Sequence, residues 1–371
     1  MSTEQVPATE PVAAAQAAGD MATETATETA TETATETAVT DAATPPAETP
    51  LTKLTARLPD ITKKADHNEM WGVDLSTDSA HAPTQVVLFK FLKANNNDVA
   101  AAEKQLTSAL EWRKKIQAGK LVTEPFEESK FGDLGFVTVH KDANGEKETV
   151  ITWNIYGAVK DKKATFGNVD DFIRWRVALM ELGVQKLRLN EIKEPLALDA
   201  PDSHQMLQVH DYLSVSFLRM DPDVKAATKK TIETFSMAYP ELLAHKYFVN
   251  VPAIMGWMYA AMKLFLPTAT LRKFHPMASG TTLAAELPDI SASLPKEYGG
   301  QGPSVKEGET VKLVDLTPKA EETKVDAAPA APATPGAEVP AAESEPKPDV
   351  TPAADVGPKV TDEAAEKETA A

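Results

Sequence analysis

The sequence predicts an α/β fold with a helical N-terminal lobe and a larger lobe built on a mostly parallel sheet. Apolar residues recur at helical spacing up to about residue 117, and from about residue 134 strand-like runs are separated by helical runs. Strands that alternate with helices form βαβ units, and such units build parallel sheets. Repetitive sequence at both ends lies outside this predicted core.

The N-terminal lobe, residues 51–125, is predicted to contain two helices. The first covers residues 84–93 and is followed by three successive asparagines. Asp98 is a suitable N-cap for the second helix, which runs to about Gln117 and is expected to end at Gly119.

The larger lobe, residues 126–305, is predicted to begin with a hairpin. Its two strands cover residues 134–140 and 149–156, and residues 142–145 form the turn between them. The remaining elements follow in order: a helix over 169–190, a strand over 206–213, a helix over 224–238, a strand over 245–251 and a short strand over 273–276.

The composition excludes several classes of site. The chain has 371 residues, a net charge of −17 and no cysteine. A disulfide scaffold, a zinc finger, an iron–sulfur site, a covalently attached c-type haem and a cysteine nucleophile all require cysteine. The sequence also contains no HExxH motif and no phosphate-binding glycine loop.

Most of the negative charge belongs to the two ends of the chain. Residues 1–50 contain nine acids and no base, and residues 318–371 contain twelve acids and five lysines. The remaining segment is close to neutral, which argues against nucleic-acid binding. We expect residues 1–50 and 306–371 to be disordered, because their composition buries little apolar surface. The N-terminus does not resemble a signal peptide.

The most apolar segment covers residues 251–266 and includes Lys263. It is shorter than the roughly 20 residues that a transmembrane helix needs. Two interpretations remain open: a buried core helix, or a mobile apolar helix that contacts lipid.

Three predicted strands combine one apolar face with one face of large polar side chains. The polar faces carry Tyr156, then His210 with Tyr212, then Lys246. These faces either meet solvent or line a cavity that holds an amphipathic ligand.

Arg176 falls within the apolar stripe of the long helix, four residues after Phe172. It either extends to the edge of the core or is buried beside an anionic ligand group.

Short motifs occur in a fixed order along residues 80–305. The helical lobe has FKFLKA at 89–94, DV at 98–99 and EWRK at 111–114. The larger lobe has YPE at 239–241, NVP at 250–252, FL at 265–266 and LPKEYGG at 294–300. Together, these motifs resemble the CRAL-TRIO (Sec-fourteen-like) family of lipid-transfer proteins.

The resemblance implies a sheet that floors a hydrophobic pocket and a gating helix after Pro252 that moves at a membrane. In members that carry phosphatidylinositol, three residues hold the inositol phosphate. The matching positions here are Glu241, Thr270 and Lys273.

The sequence departs from ordinary members of the family in a pattern that is similar to one fungal branch, whose members bind haem. The haem-contacting positions of that branch correspond to Tyr156, Arg176, His210, Tyr212 and Lys246. The resemblance therefore implies haem b as a cofactor, with Tyr212 as the iron ligand and His210 beside it or as a second ligand. Tyrosine and histidine both ligate haem iron, and the two cations suit the propionates.

The expected function is phosphatidylinositol binding and transfer without enzymatic activity, together with haem binding in the same pocket and a role in oxidant stress. The expected partners are phosphatidylinositol, haem and cytoplasmic membrane surfaces. The resemblance places the protein in the cytoplasm, peripherally on the endoplasmic reticulum and microsomal membrane. The alternative is a peroxidase-like haem enzyme with no role in lipid transfer.

Overall fold

Helices and strands alternate through the part of the chain that the computed structural model describes, residues 48–195, 202–215, 221–252 and 271–315. The α-helices are α1 (Pro50–Ala65), α2 (Ala82–Ala94), α3 (Val99–Ile116), α4 (Glu128–Phe131), α5 (Lys162–Phe166), α6 (Val169–Lys186), α7 (Pro222–Ala238) and α8 (Leu283–Glu286). Short 3-10 helices cover Ala118–Thr123, Tyr156–Ala158, Leu189–Glu191, Gly280–Thr282, Pro288–Ser293, Lys296–Tyr298 and Val305–Glu307.

The strands form one central sheet and two short pairs. They are β1 (Glu69–Met70), β2 (Val73–Asp74), β3 (Phe126–Glu127), β4 (Gly135–Lys141), β5 (Glu148–Ile155), β6 (Met206–Asp211), β7 (Leu243–Val249), β8 (Phe274–Pro276) and β9 (Leu313–Val314). The central sheet has the order β4-β5-β6-β7-β8, in which β4 and β5 are antiparallel and all other neighbours are parallel. The predicted α/β fold with a mostly parallel sheet is therefore confirmed.

The two faces of this sheet have different environments. The packing face carries Ile151, Trp153, Leu207, Val209, Tyr247 and Val249, and it packs against residues of the 283–305 segment. The ligand face carries Thr152, Asn154, Gln208, His210, Lys246 and Phe248. Helix α6 covers part of it, since Gln208 Nε2 lies 3.6 Å from Met180 Sδ. The polar side chains predicted for one face of each strand are thus partly covered by a helix.

Three local predictions are corrected. Helix α3 ends at Ile116, where Gln117 adopts a left-handed conformation, so Gly119 does not end it and lies in the following 3-10 helix. Tyr156 lies just beyond β5 in a 3-10 turn. Tyr212 likewise follows the last residue of β6.

Helix α1 was not anticipated within the N-terminal lobe. Leu54, Leu58, Ile61 and Ala65 lie on its buried side, at helical spacing, while Pro59 lies inside the helix. The Thr49 side chain caps its start by accepting a hydrogen bond from Thr52 N at 3.2 Å. Helix α1 packs on α3 and completes the core of the helical lobe.

All the described residues belong to one compact unit that ends at Leu316. The boundary between the lobes at residues 125 and 126 stays a prediction. In the described part of the chain, no helix is long and apolar enough to cross a membrane. The proposed gating segment from residue 253 to 270 lies outside the described residues.

Candidate functional site

The register of the parallel strands gathers the predicted site residues at the carboxyl ends of β5, β6 and β7. His210 lies between Asn154 of β5 and Phe248 of β7. Tyr212 follows β6 and its backbone N–H donates to Val249 O at 3.1 Å. Ligands of open α/β sheets bind at this edge, where the strands end and the loops begin.

Four rings form an aromatic cluster at this edge, consisting of Tyr156, His210, Tyr212 and Phe248. The Tyr156 ring lies 5.3 Å from the His210 ring and 5.4 Å from the Tyr212 ring, measured between centroids. The His210 ring lies 5.7 Å from the Phe248 ring. The predicted iron ligands His210 and Tyr212 are 6.5 Å apart by the same measure, on one side of the sheet.

Arg176 enters the site from α6 and is 1% exposed. Its Nε and Nη1 atoms have no hydrogen-bond partner among the described residues. Its guanidinium carbon lies 5.1 Å from the centre of the Phe235 ring on α7. Arg176 therefore does not extend to the edge of the core, and its burial beside an anionic ligand group stays a prediction.

Lys246 extends from β7 toward two aromatic rings. Its Nζ lies 5.7 Å from the centres of both the Phe248 and the Phe274 rings. Burial, together with the charge of Arg176, lowers the pKa of Lys246 to about 7. No acidic residue in the described part of the chain offsets these effects.

The environment also sets the protonation states of the two predicted iron ligands. Burial and the charges of Lys246 and Arg176 hold the pKa of His210 well below its usual value, so the imidazole is neutral at pH 7. Burial, with a contribution from Tyr156, raises the pKa of Tyr212 above its usual range. A neutral imidazole donates an electron pair readily, whereas the Tyr212 phenol must lose a proton to ligate a metal.

Buried polar atoms without partners concentrate on the ligand face. Within the described residues, six buried side-chain nitrogen or oxygen atoms have no hydrogen-bond partner. They are His67 Nε2, Thr152 Oγ1, Asn154 Oδ1, Arg176 Nε, Arg176 Nη1 and His210 Nε2. Five of the six belong to this one region. Because each such group costs about 1–3 kcal/mol, the region suits a ligand that carries polar and anionic groups.

The chemistry of these residues is compatible with haem b. His210 offers an unpartnered Nε2 atom beside the Tyr212 phenol, and aromatic rings surround both. Arg176 and Lys246 would supply two cations for two propionates. In the described part of the chain, no group of three or more His, Asp or Glu side chains is placed to hold a metal ion.

Two of the three predicted headgroup residues, Glu241 and Lys273, lie together at a second position. Lys273 Nζ donates to Glu241 Oε2 at 3.2 Å and to Leu243 O at 2.9 Å, just before β7. Lys93 Nζ approaches Glu241 Oε2 at 3.9 Å. Thr270 lies outside the described residues. The ion pair occupies the amino end of β7, whereas the aromatic cluster occupies its carboxyl end.

Sequence reasoning did not assign a role to Phe248, Phe274 or Phe235, although all three contact the predicted cations. Phe248 lies two residues after Lys246 in a predicted strand, so the sequence already predicted that the two share a face. The contacts of Phe235 and Phe274 depend on the packing of distant elements. Asn250 does not continue the polar face of β7. Its backbone is left-handed, with φ of 59°, and its side chain donates to Asp211 Oδ1 at 2.7 Å.

Comparison with known proteins identifies the fold and the family. The CRAL/TRIO domain matches residues 135–300, and the CRAL/TRIO N-terminal domain matches residues 50–108. The chain belongs to the CRAL-TRIO family, which confirms the resemblance seen in its motifs.

Within this family, the chain is similar to fungal proteins named phosphatidylinositol transfer protein sfh5. Over 275 residues it is 54% identical to the Sclerotinia sclerotiorum protein. The aligned region makes up 74% of this chain and 66% of that protein. The chain is 53% identical over 286 residues to the Aspergillus oryzae protein, covering 77% of this chain and 61% of that one. The matched region thus spans two thirds or less of these relatives.

A solved structure agrees with this assignment. The crystal structure of Sfh5 superimposes with a TM-score of 0.60 at 31% sequence identity. The match covers 70% of this chain and 90% of the solved one.

Proposed function

We propose that the protein binds phosphatidylinositol, transfers it between membranes without catalysing a reaction, and also holds haem b in its pocket. The names of its fungal relatives support the lipid-transfer part. The observation that carries the haem part is the concentration of unpartnered buried polar atoms around His210 and Arg176. We place its action at the cytoplasmic surface of endoplasmic reticulum and microsomal membranes, where the protein associates peripherally.

Phosphatidylinositol binding uses the pair of Glu241 and Lys273. The Lys273 ammonium is a suitable partner for the phosphate, and the Glu241 carboxylate accepts hydrogen bonds from inositol hydroxyls. The two groups contact each other in the structure, so binding exchanges one ion pair for contacts with the headgroup. Lys93, close to Glu241, adds positive charge to the same position.

Haem binding uses the five residues at the carboxyl edge of the sheet. Tyr212 would hold the iron, with His210 beside it or as a second ligand. Arg176 and Lys246 would pair with the propionates, and Tyr156 would stack on the haem or form a hydrogen bond with it. When bound, haem b supplies a redox-active iron. Arg176 would neutralise one propionate and Lys246 the other, and the bound anion would offset the cost of the buried guanidinium, which has two unpartnered nitrogens among the described residues.

A transfer assay tests the headgroup assignment. Glu241→Lys and Lys273→Ala should each abolish transfer of phosphatidylinositol between vesicles, because each removes one side of the headgroup contact. Lys306→Ala is the matched control, since Lys306 pairs with Asp133 away from this position. Transfer at the wild-type rate by both headgroup variants would contradict the assignment.

Absorption spectra of two variants test the haem ligands. Tyr212→Phe and His210→Ala should each shift the Soret and visible bands of bound haem, because each removes an iron ligand or its neighbour. Tyr247→Phe is the control, because Tyr247 lies on the packing face. If both ligand variants kept the wild-type spectrum, the iron would be held elsewhere. If haem spectra and lipid transfer responded to different variants, haem and phosphatidylinositol would contact different residues.

A further inference from the structure

Two histidines on neighbouring strands lie side by side at the edge of the central sheet. His245 is on β7 and His275 is on β8, and the Nδ1 atom of His245 lies 2.9 Å from the Nε2 atom of His275. Their ring centroids are 5.0 Å apart. Both side chains belong to the sheet side that carries Tyr247, which pairs in register with His275. They therefore lie across the sheet from the aromatic cluster.

The separation of the two nitrogens fits two adjacent ligands of one metal ion. Metal–imidazole bonds are about 2.0–2.1 Å long. Two such bonds at a right angle place the nitrogens about 2.9 Å apart, whereas a tetrahedral angle places them roughly 3.3 Å apart. The observed separation is that of a hydrogen bond and lies close to both values, and among divalent first-row ions Ni²⁺ and Cu²⁺ bind nitrogen ligands strongly.

We propose that His245 and His275 form a two-histidine binding site for Cu²⁺ or Ni²⁺, with water completing the coordination. In the ligand-free protein, the same contact is an N–H···N hydrogen bond between the rings. Binding of the ion breaks this hydrogen bond, and the imidazole that donated it moves its proton to its other ring nitrogen, since the metal needs an electron pair from each bound nitrogen.

The surroundings of this histidine pair favour the binding of a metal ion. The Tyr247 ring stacks on His275 at 4.8 Å with an interplanar angle of 22°, which fixes the plane of that ring. His245 is exposed, so an ion reaches the pair from solvent. The described residues provide no third His, Asp or Glu ligand, which is why water is required.

Calorimetric titration of the untagged full-length chain with NiCl₂ tests the proposal. We expect one ion per chain, and at least about tenfold weaker binding in His245→Gln and in His275→Gln, because each loses one ligand. His81→Gln is the control, since His81 contacts Thr84 and has no neighbouring histidine. The wild-type affinity in either ligand variant would overturn the site.

Electron paramagnetic resonance of the Cu²⁺-loaded chain provides a second measurement. The wild type should show coupling to two equivalent imidazole nitrogens, and each single variant should show coupling to one. Near-ultraviolet circular dichroism of the ligand-free variants checks that both keep the fold. Couplings that are identical in wild type and variants would mean adventitious binding and would overturn the proposal. The outcome is independent of haem binding, because the proposed haem site lies on the other side of the sheet.

Discussion

Two buried arginines differ in whether their charge is balanced. Arg113 is paired on both sides: its Nη1 donates to Glu181 at 2.6 Å and its Nη2 donates to Glu69 at 2.8 Å. Arg176 is equally buried but has two nitrogen atoms without a partner in the described part of the chain. The partners of Arg113 offset the cost of burying its charge, whereas the described residues offset only part of that cost for Arg176. In the proposed function, a ligand anion offsets the rest.

Substitution of each arginine by methionine should have opposite effects on stability. Arg176→Met removes the unpartnered donors and should raise the free energy of unfolding of the ligand-free protein by about 1–3 kcal/mol, while weakening haem binding. Arg113→Met leaves Glu181 buried without its cation and should lower that free energy by about 3–5 kcal/mol. Urea unfolding measures both. A destabilised Arg176→Met protein would show that the arginine has a structural role.

The lowered pKa of Lys246 predicts a pH dependence of ligand affinity. Without ligand its pKa is about 7, and a bound anion raises that pKa. Binding above pH 7 therefore takes up a proton, which offsets the proton that the Tyr212 phenol loses when it ligates iron, so haem affinity should rise with pH below 7 and level off above it. Haem titration between about pH 6 and 9 measures this. Lys246→Arg stays charged and takes up no proton, so its haem affinity should keep rising above pH 7 by up to about tenfold per pH unit, and a plateau in that variant would contradict the explanation.

At the scale of elements, the site depends on two segments that meet beyond the strand ends. The 3-10 turn after β5 carries Tyr156, and the segment after β6 carries Tyr212. They approach so closely at Gly157 that a Cβ atom there would lie 1.9 Å from Leu213 O. Only glycine permits this approach, which holds the two tyrosines side by side.

Gly157→Ala should therefore separate Tyr156 from Tyr212 and weaken haem binding, with little effect on the central sheet. The added methyl group must displace the backbone after β6. Haem titration measures the effect on haem binding, and far-ultraviolet circular dichroism measures the effect on the central sheet. Gly119→Ala is a control for the added methyl group, because Gly119 has open space around its Cβ position and no left-handed backbone. Wild-type haem affinity in Gly157→Ala would mean that the spacing of the tyrosines does not matter.

Sequence patterns predicted most of the sheet and the long helices, because hydrophobic periodicity reports burial directly. Helix α1 was missed because Pro59 interrupts its pattern, although the protein accommodates it. The left-handed turn at Asn250 was missed because it depends on hydrogen bonds to Asp211 and Gly280, which are distant in sequence. The sequence pattern predicted that His210 and Tyr212 lie on one side of a strand. It could not predict how close they lie to Tyr156, because that distance depends on the register between strands.

At the scale of the whole molecule, the helical lobe holds the end of α7 that leads to the headgroup residues. Trp71 Nε1 donates to Ala238 O at 3.0 Å, and Gln105 Nε2 donates to Ser236 O and Met237 O at the same distance. Lys90 Nζ donates to Glu241 O at 3.1 Å. These bonds satisfy carbonyls at a helix end and fix the position of Glu241.

The acidic ends of the chain should weaken its attachment to anionic membranes. Replacing the nine acids of residues 1–50 by their amides should tighten binding to vesicles that contain phosphatidylserine, because like charges no longer repel. Vesicle sedimentation at low and high salt measures this, and the difference should vanish at high salt. Equal binding at low salt would show that this segment has no electrostatic role.

The absorption spectrum of the full-length protein as purified, with its iron content, tests the central claim most directly. The five-residue site predicts a Soret band with the weak visible bands of phenolate-ligated ferric haem, and up to one iron per chain. A colourless protein that also failed to take up added haem would contradict the haem site. Phosphatidylinositol transfer would then remain as the function, and the unpartnered arginine would need another ligand.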